Sequence, residues 1–401
     1  MTLPEGWTLH SVANLAREIR NGCTVKQVSS GKGFPVSRIE TIAKGEIDHE
    51  RVGYADCPES DIARFRLETG DTLLSHINSV KHIGKVACYR GEKPLFHGMN
   101  LMLVRWDTTR IDWLFGYYCL ASSEAKSYFE KVCKRAVNQA SLSRVDIGHL
   151  ILRVPPPAEQ RKIAAILDSV GEVIAENELI IQRLEVLKEV KMRELLPTDR
   201  TSAQDYVSLE SVTDFLTGGT PDRTDPRNFG GGIIWVKSGE VACRHITTTE
   251  ETLSQAGLNS SAAKLCPAGS VLVAMYGATA GKVGRLAVDA ATNQAVLALI
   301  PRGNRITAEF LYYRLVASAK TLLGRTQGSG QPNLNAGLIR ALKVPLPTVE
   351  EQNAIGRLLS SFDDRIESEI VVLSALRQLK STLSNVLLAG QIRVTPDETQ
   401  S

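Results

Sequence analysis

Leu152-Arg-Val-Pro-Pro-Pro-Ala-Glu-Gln160 opens a long charged run that ends at Leu195-Leu196, and Leu342-Lys-Val-Pro-Leu-Pro-Thr-Val-Glu-Glu-Gln352 opens another that ends at Leu387-Leu388. From Gln160 and Gln352 to the paired leucines, the two copies keep a constant offset of 192 residues. One unit carried twice implies a pseudo-symmetric molecule, and function is to be sought in a partner of matching symmetry. The prolines hold each approach extended, because a proline biases the residue before it away from the helical region, so helix begins only after them. In the first run Ile163, Leu167, Val170, Ile174, Ile181, Leu184 and Leu187 recur at spacings of three, four or seven. In the second, Ile355, Leu359, Phe362, Ile366, Leu373, Leu376, Leu379 and Leu383 do the same. This is the pattern of helices that bury one stripe against a partner helix. Asn177 and Glu369 interrupt the stripe at equivalent places. A polar residue there either fixes register within the seam or marks a partly exposed position.

The repeat extends beyond the helices. Trp7-Thr-Leu-His-Ser-Val-Ala-Asn-Leu15 is echoed by Val207-Ser-Leu-Glu-Ser-Val-Thr-Asp-Phe215. Gly70-Asp-Thr-Leu-Leu74 before Ile83-Gly-Lys-Val86 is echoed by Gly269-Ser-Val-Leu-Val273 before Ala280-Gly-Lys-Val283, and each reads as a strand, a loop and a glycine-led strand. Ile111-Asp-Trp-Leu-Phe-Gly-Tyr-Tyr118 and Ile306-Thr-Ala-Glu-Phe-Leu-Tyr-Tyr313 each read as a short amphipathic helix. The expected order is a globular unit over residues 1–157, a long helix over 158–197, a linker over 198–206, a second unit over 207–347, a second long helix over 348–390 and a disordered tail over 391–401. About forty helical residues make a rod of roughly 60 Å. If the second helix packs on the first, it starts where the first ends and runs back, so the two are antiparallel. The fold class is α+β, with two mixed α/β units separated by an antiparallel, coiled-coil-like rod and related by a pseudo-twofold axis. Such a plan could place two reading heads on two separated DNA half-sites.

Composition sets outer bounds. The chain has 401 residues, 43% hydrophobic and 23% charged, which is long enough for two or more domains. A formal charge of +3 and a pI near 8.4 permit nucleic acid without announcing it. Seven scattered cysteines without a C-x-x-C pair disfavour a disulfide framework or zinc module and fit a reduced cytosol. The opening residues lack a signal-peptide pattern and no apolar run reaches a membrane span, so a cytoplasmic protein is expected.

Enzyme motifs fail on inspection. Gly277-Ala-Thr-Ala-Gly-Lys-Val283 resembles a phosphate loop but is one residue short between its glycines, and Val283 stands where a magnesium-binding Ser or Thr is needed. No dinucleotide fingerprint, no amino-methyltransferase Asn-Pro-Pro-Tyr or Asp-Pro-Pro-Tyr motif and no H-E-x-x-H pair occurs. What remains is polar loop chemistry at matched places. Ser75-His-Ile-Asn-Ser-Val-Lys-His82 faces Ala274-Met-Tyr-Gly-Ala-Thr-Ala280 in the repeat, and Arg135-Ala-Val-Asn-Gln-Ala-Ser-Leu142 faces Arg325-Thr-Gln-Gly-Ser-Gly-Gln-Pro-Asn-Leu334. Asn and Gln read adenine and Arg or Lys reads guanine, while Ser, Thr and backbone amides serve phosphates. Read plainly, the same stretches are turns rich in Gly, Ser and Asn.

The doubled V-P-x-P, E-Q, heptad and L-L phrase, with Leu3-Pro-Glu-Gly-Trp7 and Thr217-Gly-Gly-Thr-Pro221, resembles the DNA-specificity (S) subunit of type I restriction-modification systems from about Leu3 to Gly390. The resemblance implies a non-catalytic subunit whose two target-recognition domains each read half of a bipartite, asymmetric site in double-stranded DNA. It implies helices that scaffold two methylation (M) subunits and the restriction (R) subunits. Methyltransferase and ATP-dependent endonuclease activity, with S-adenosylmethionine, ATP and magnesium, would belong to those partners, and this chain would hold no cofactor, metal or catalytic residue. DNA-facing residues implied by the matched loops are His76, Asn78, Lys81 and His82 in the first domain and Tyr276, Thr279, Lys282, Arg325, Gln327 and Gln331 in the second. The first helix opening is two residues shorter than the second, which bears on how the first domain is oriented. Two other classes are a coiled-coil adaptor with protein-binding heads and no DNA readout, and a phosphate-transfer enzyme built on the Gly277 loop.

Overall fold

The structure is a computed structural model that describes residues 3–28, 31–80, 82–137, 139–197, 206–242, 244–324 and 333–394. It divides into a first compact unit, Met1–Glu178 with Val371–Ser401, and a second, Leu179–Ile370. The two long helices, Pro157–Leu195 and Val349–Leu388, each contribute one half to each unit. The first begins at Pro157, one residue before the expected start, since proline is tolerated at the first helical position, where its missing N–H leaves no gap.

In the first unit β1 (Thr8–Ser11) leads into β2 (Ala16–Asn21). Next come β3 (Thr72–Leu74), the two-residue β4 (Ile77–Asn78), β5 (Val86–Cys88) and β6 (Met102–Trp106). Two helices follow, α1 (Trp113–Ala121) and α2 (Ser123–Val132), split at Ser122, whose hydroxyl caps α2 by accepting from Ala125 N–H at 3.1 Å. The ribbon strands β7 (Lys134–Ala136) and β8 (Gln139–Ser141) and the strand β9 (Ile151–Val154) come next, and Gln27–Val28, Phe34–Val36 and Gly53–Ala55 form a separate three-stranded sheet. The main sheet is antiparallel in the order β2-β6-β3-β5. The helix-opening phrase itself pairs with the start of the chain, β9 with β1, through Thr8↔Val154 to Ser11↔Ile151.

The second unit repeats this plan. Its strands are β10 (Tyr206–Ser208), β11 (Thr213–Thr217), β12 (Val271–Ala274), β13 (Val283–Arg285) and β14 (Val296–Pro301). They are followed by α3 (Ala308–Gly324) and β15 (Lys343–Pro345). The main sheet runs β11-β14-β12-β13, the same antiparallel order, and β10 pairs with β15 as β1 pairs with β9. A further four-stranded sheet, built on Phe229–Val236 and Ala290–Thr292, packs Trp235, Leu253, Ala263 and Ala291 into its own small core.

Each main core takes the opening of one long helix and the close of the other. In the first unit Ile163, Ala164 and Leu167 are buried with Leu387 and Leu388; in the second Leu359 is buried with Leu196, and Ile355, Met192 and Leu195 pack on them. Within each unit the helix halves are therefore antiparallel. Arg377 donates to Glu178 at 2.6 Å in the first, and Lys188 pairs with Asp363 in the second. Asn177 and Glu369 lie in the seam, 6% and 7% exposed.

Three expectations are corrected. Leu187 and Leu379 face solvent at 51% and 47% exposure, and the next residues, Lys188 and Lys380, turn inward over Tyr313 and Tyr118. At 3.6 residues per turn the inward line drifts by one position over the length of the helix. The helix α1 is not amphipathic: Phe115, Gly116, Tyr118, Cys119 and Leu120 are all buried, since sheet and long helix enclose it. The tail is ordered at its start, because Arg393 grips Glu159 with Nε and Nη2 at 2.8 and 2.9 Å and Val394 packs on the first core. Trp7 Nε1 donates to the same carboxylate at 3.2 Å. Burial opposes the Glu159 charge, but these donors together hold its carboxyl below the usual glutamate value. Residues 395–401 lie outside the described residues. Among the described residues, no helix is long and apolar enough to cross a membrane.

Candidate nucleic-acid interface

In each unit a backbone bond ties the last residue of the second sequence-matched loop to the start of the first. In the first unit the loop after β3 is closed by Ser75 N–H donating to Lys85 O at 2.8 Å and Gly84 N–H to Ser75 O at 2.9 Å. In the second the loop after β12 is closed by Ala274 N–H to Lys282 O and Gly281 N–H to Ala274 O, both at 2.9 Å. Gly84 and Gly281 have φ of +75° and +81°, and a Cβ on either would stand 2.8 Å from Phe129 or Leu323. Only glycine meets both conditions, which accounts for the repeated glycine. One more backbone bond then joins the second loop to the first. Leu142 N–H donates to His76 O at 2.8 Å, and Leu334 N–H donates to Met275 O at 2.8 Å.

What the shared scaffold displays differs. In the first unit β4 adds to the β7–β8 ribbon, Asn78 opposite Ala140 and Ile77 opposite Ser141. Asn78 is consumed within its loop, its Nδ2 donating to Ser75 Oγ at 3.1 Å and its Oδ1 accepting from Ser79 N–H at 2.8 Å. His76 is 5% exposed, and burial pushes its pKa below the usual histidine value, so a neutral ring faces inward. His82 is half-buried. Lys81 lies outside the described residues. Exposed groups come instead from the ribbon: Lys134, Arg135 and Gln139, with Val137 beyond Ala136 at 93% exposure. Arg135 and Gln139 belong to the polar stretch matched with Arg325–Leu334 but not to the residues implied to face DNA, and the alternating run from Lys134 to Ser141 carries a hairpin signal. A two-stranded ribbon of this kind has the dimensions to enter a DNA major groove.

In the second unit Tyr276 and Lys282 are exposed on the β12–β13 loop, Tyr276 at 50%, and Thr279 beside them is half-buried, its hydroxyl donating to Tyr276 O at 3.5 Å. The loop joins two antiparallel strands through one turn of 3-10 helix, Gly277–Thr279. A phosphate loop needs a strand leading into a full helix, so nucleotide binding has no framework here. The repeat partner of Lys282 is Lys85, whose Nζ donates to Ala43 O at 2.9 Å and is thereby turned away from the loop surface. Arg325, Gln327 and Gln331 lie outside the described residues.

The first unit also holds a polar cleft of about 460 Å³ lined by Thr24, Lys26, Gln27, Arg38 and Asn100 among others, with Arg38 Nε donating to Gln27 Oε1 at 3.0 Å. Among the described residues no group of three His, Cys, Asp or Glu side chains is placed to hold a metal. The described cysteines are free thiols, and burial pushes Cys88 up to about 12 and Cys266 up to about 11, which makes them poor nucleophiles.

The family model of the type I restriction modification DNA specificity domain matches residues 4–186 and again 203–373. A putative type I restriction enzyme MjaX specificity subunit of Methanocaldococcus jannaschii is 29% identical, over 98% of this chain and 95% of its own length. The EcoKI specificity subunit of Escherichia coli K12 is 30% identical over 37% of this chain and 33% of its own length. Among solved structures, the S subunit of a type I restriction-modification system from M. genitalium superposes with a TM-score of 0.64 at 16% identity, covering 97% of this chain and 98% of that one. A chain from a structure of type I R-M complex assembly and conformational transition gives 0.59 at 16% identity, over 98% and 100%. With the specificity-domain model matched twice, once in each half of the repeat, this chain belongs to the type I restriction-modification DNA-specificity family.

Proposed function

We propose that this chain reads a bipartite, asymmetric site in double-stranded DNA, one half with each unit, and itself catalyses nothing. The observation that carries this reading is the pair of equivalent backbone bonds, Leu142 to His76 and Leu334 to Met275, which put unrelated loop sequences at one place on one scaffold. A surface that keeps its frame and changes its side chains is suited to reading two different half-sites. Arg135, Gln139, Lys134, Tyr276, Thr279 and Lys282 supply the donors, cations and stacking face that bases and phosphates need. By sequence, Lys81 belongs to the Ser75–His82 loop of the first unit and Arg325, Gln327 and Gln331 to the Arg325–Leu334 loop of the second.

The long helices would scaffold two methylation subunits and the restriction subunits, which would bring S-adenosylmethionine, ATP and magnesium and work with this chain in the cytoplasm. In support, both helices leave apolar side chains in solvent: Val173, Val371 and Val372 in the first unit and Val186, Val190 and Ile370 in the second. Apolar side chains left exposed on a helix pair are of the kind a protein contact would cover. Selection of a degenerate duplex pool by the assembled complex tests the reading, with one split motif enriched as the expected outcome. Enrichment without a split motif sinks it. Binding that is indifferent to ionic strength would instead identify a protein-binding adaptor, since phosphate contacts must weaken steeply with salt.

A further inference from the structure

Each unit ties its globular part to both long helices through a tyrosine, an aspartate, a lysine and an arginine, and the two copies reach this result by different routes. Gln160 and Gln352 supply the reference frame. Gln160 Oε1 accepts from Asp112 N–H and Gln352 Oε1 from Thr307 N–H, both at 2.8 Å, while the Nε2 groups donate to Pro155 O and Pro347 O at 2.8 and 2.9 Å. The two-residue difference in the helix openings is thus absorbed before these prolines, and the head helices α1 and α3 meet the long helices in one register.

From that frame the carboxylate moves. In the first unit Asp168 accepts from Tyr118 Oη at 2.8 Å and Arg90 Nη1 at 3.0 Å, with Lys380 over the Tyr118 ring. In the second, Asp363 accepts from Tyr313 Oη at 2.6 Å and pairs with Lys188, which lies over the Tyr313 ring. By the 192-residue offset, Asp168 corresponds to Ser360, and Asp363 to Gly171. A Cβ on Gly171 would stand 2.8 Å from Lys380 Nζ, so the empty position in the first copy already faces the lysine that pairs with aspartate in the second. The arginines show the same convergence. Arg244 Nη1 donates to Ser360 O at 2.9 Å, the helix position equivalent to Asp168, yet Arg90 follows β5 while Arg244 precedes β12. Arginines from two non-equivalent loops arrive at one place on the repeat. Burial disfavours the Asp168 charge, and the bonds from Arg90 and Tyr118 more than offset it, holding the carboxyl below the usual aspartate value.

We propose that Arg90, Tyr118, Asp168 and Lys380 in the first unit, and Arg244, Tyr313, Asp363 and Lys188 in the second, are positioning residues that set the angle at which each globular part sits on the helix pair. On the DNA-reading function proposed above, on which this inference rests, that angle selects the spacer between half-sites. The test uses the full chain assembled with its partner subunits and duplexes that carry the selected motif with the spacer lengthened or shortened by one base pair.

Arg90→Ala and Asp168→Asn should each cut the preference for the best spacer over its neighbours by about fivefold while leaving the preferred bases of both half-sites unchanged. Asp168→Ser combined with Gly171→Asp, which moves the carboxylate to the place it holds in the second unit, should restore the preference. Lys380→Met in that double variant should abolish the rescue. The inference is overturned if the single variants lower affinity equally for every spacer, or if they lower only the unfolding temperature. A wild-type complex with no split-motif preference overturns the DNA-reading function itself, and this inference with it.

Discussion

The loops after β3 and β12 share a closing pattern bond for bond, yet one turns its polar side chains inward and the other outward. His76 and Asn78 serve the first loop's own architecture, and Lys85 bonds Ala43 O. Tyr276 and Lys282 stand exposed on the second. In the first unit display passes to the neighbouring ribbon, where Lys134, Arg135 and Gln139 are exposed. Duplication therefore preserved a frame made of backbone bonds and left the choice of displaying loop open. Residues that make the frame should respond alike in both units; residues that are displayed should not.

The largest expected effect tests the frame. Gly84→Val and Gly281→Val force a branched residue into positive φ and against Phe129 or Leu323. Each should cost about 3 kcal/mol in denaturant unfolding, from backbone strain and overpacking together. Hydrogen exchange would place the loss in the mutated unit alone, and a cost in one unit but not the other would break the equivalence. Next in size, Gln160→Ala and Gln352→Ala remove side chains that are 2% and 0% exposed and leave the N–H of Asp112 or Thr307 without its acceptor. About 2 kcal/mol is expected for each. Unequal values would show that the two head helices are held differently after all.

A third prediction separates the units by pH. His97 in the first unit is fully buried, one ring nitrogen lies 2.9 Å from Leu101 O, and burial with a smaller opposing bond brings its pKa down to about 3. His76 is shifted the same way by burial. Folding keeps these rings neutral while the unfolded chain protonates near pH 6.5. The stability is therefore intact above that value and is lost as pH falls from 6.5 toward the folded pKa. The slope for one such group is on the order of 1.4 kcal/mol per pH unit. Exchange at pH 5 should show the first unit opening before the second, and His97→Gln should shrink the gap. Equal acid sensitivity of the two units would contradict the assignment.

Much of the frame was legible because it is periodic or repeated. The helix openings, the glycines of the Gly-Lys pairs and the paired leucines each recur with the same neighbours, and each proved to be a packing or turn requirement. The candidate site was less legible. Asn78 and His76 have the chemistry of base readers, but whether a side chain in a short loop faces out depends on a two-residue pairing between strands some sixty positions apart, Ile77–Asn78 with Ala140–Ser141. The grip of Arg393 on Glu159 spans 234 positions and leaves no local trace. Leu187 and Leu379 fit the heptad as letters, and only the drift of a real helix puts Lys188 and Lys380 inside.

The smallest expected effect is the most direct test of display. Lys282 and Lys85 follow equivalent glycines, but only Lys282 is free to meet a phosphate, since Lys85 Nζ already donates to Ala43 O. Lys282→Ala should weaken DNA binding by about 1 kcal/mol, roughly evenly across sequences, and lower the slope of log affinity against log salt by about one. Lys85→Ala should leave that slope unchanged and act through stability alone, because the bond it removes is internal. Arg135→Ala, on the ribbon that takes over display in the first unit, should reproduce the salt signature of Lys282→Ala. If Lys85→Ala carries the salt signature and Arg135→Ala does not, the first unit meets DNA through its β3 loop as the second does through its β12 loop, and the two copies differ less in use than their side chains suggest.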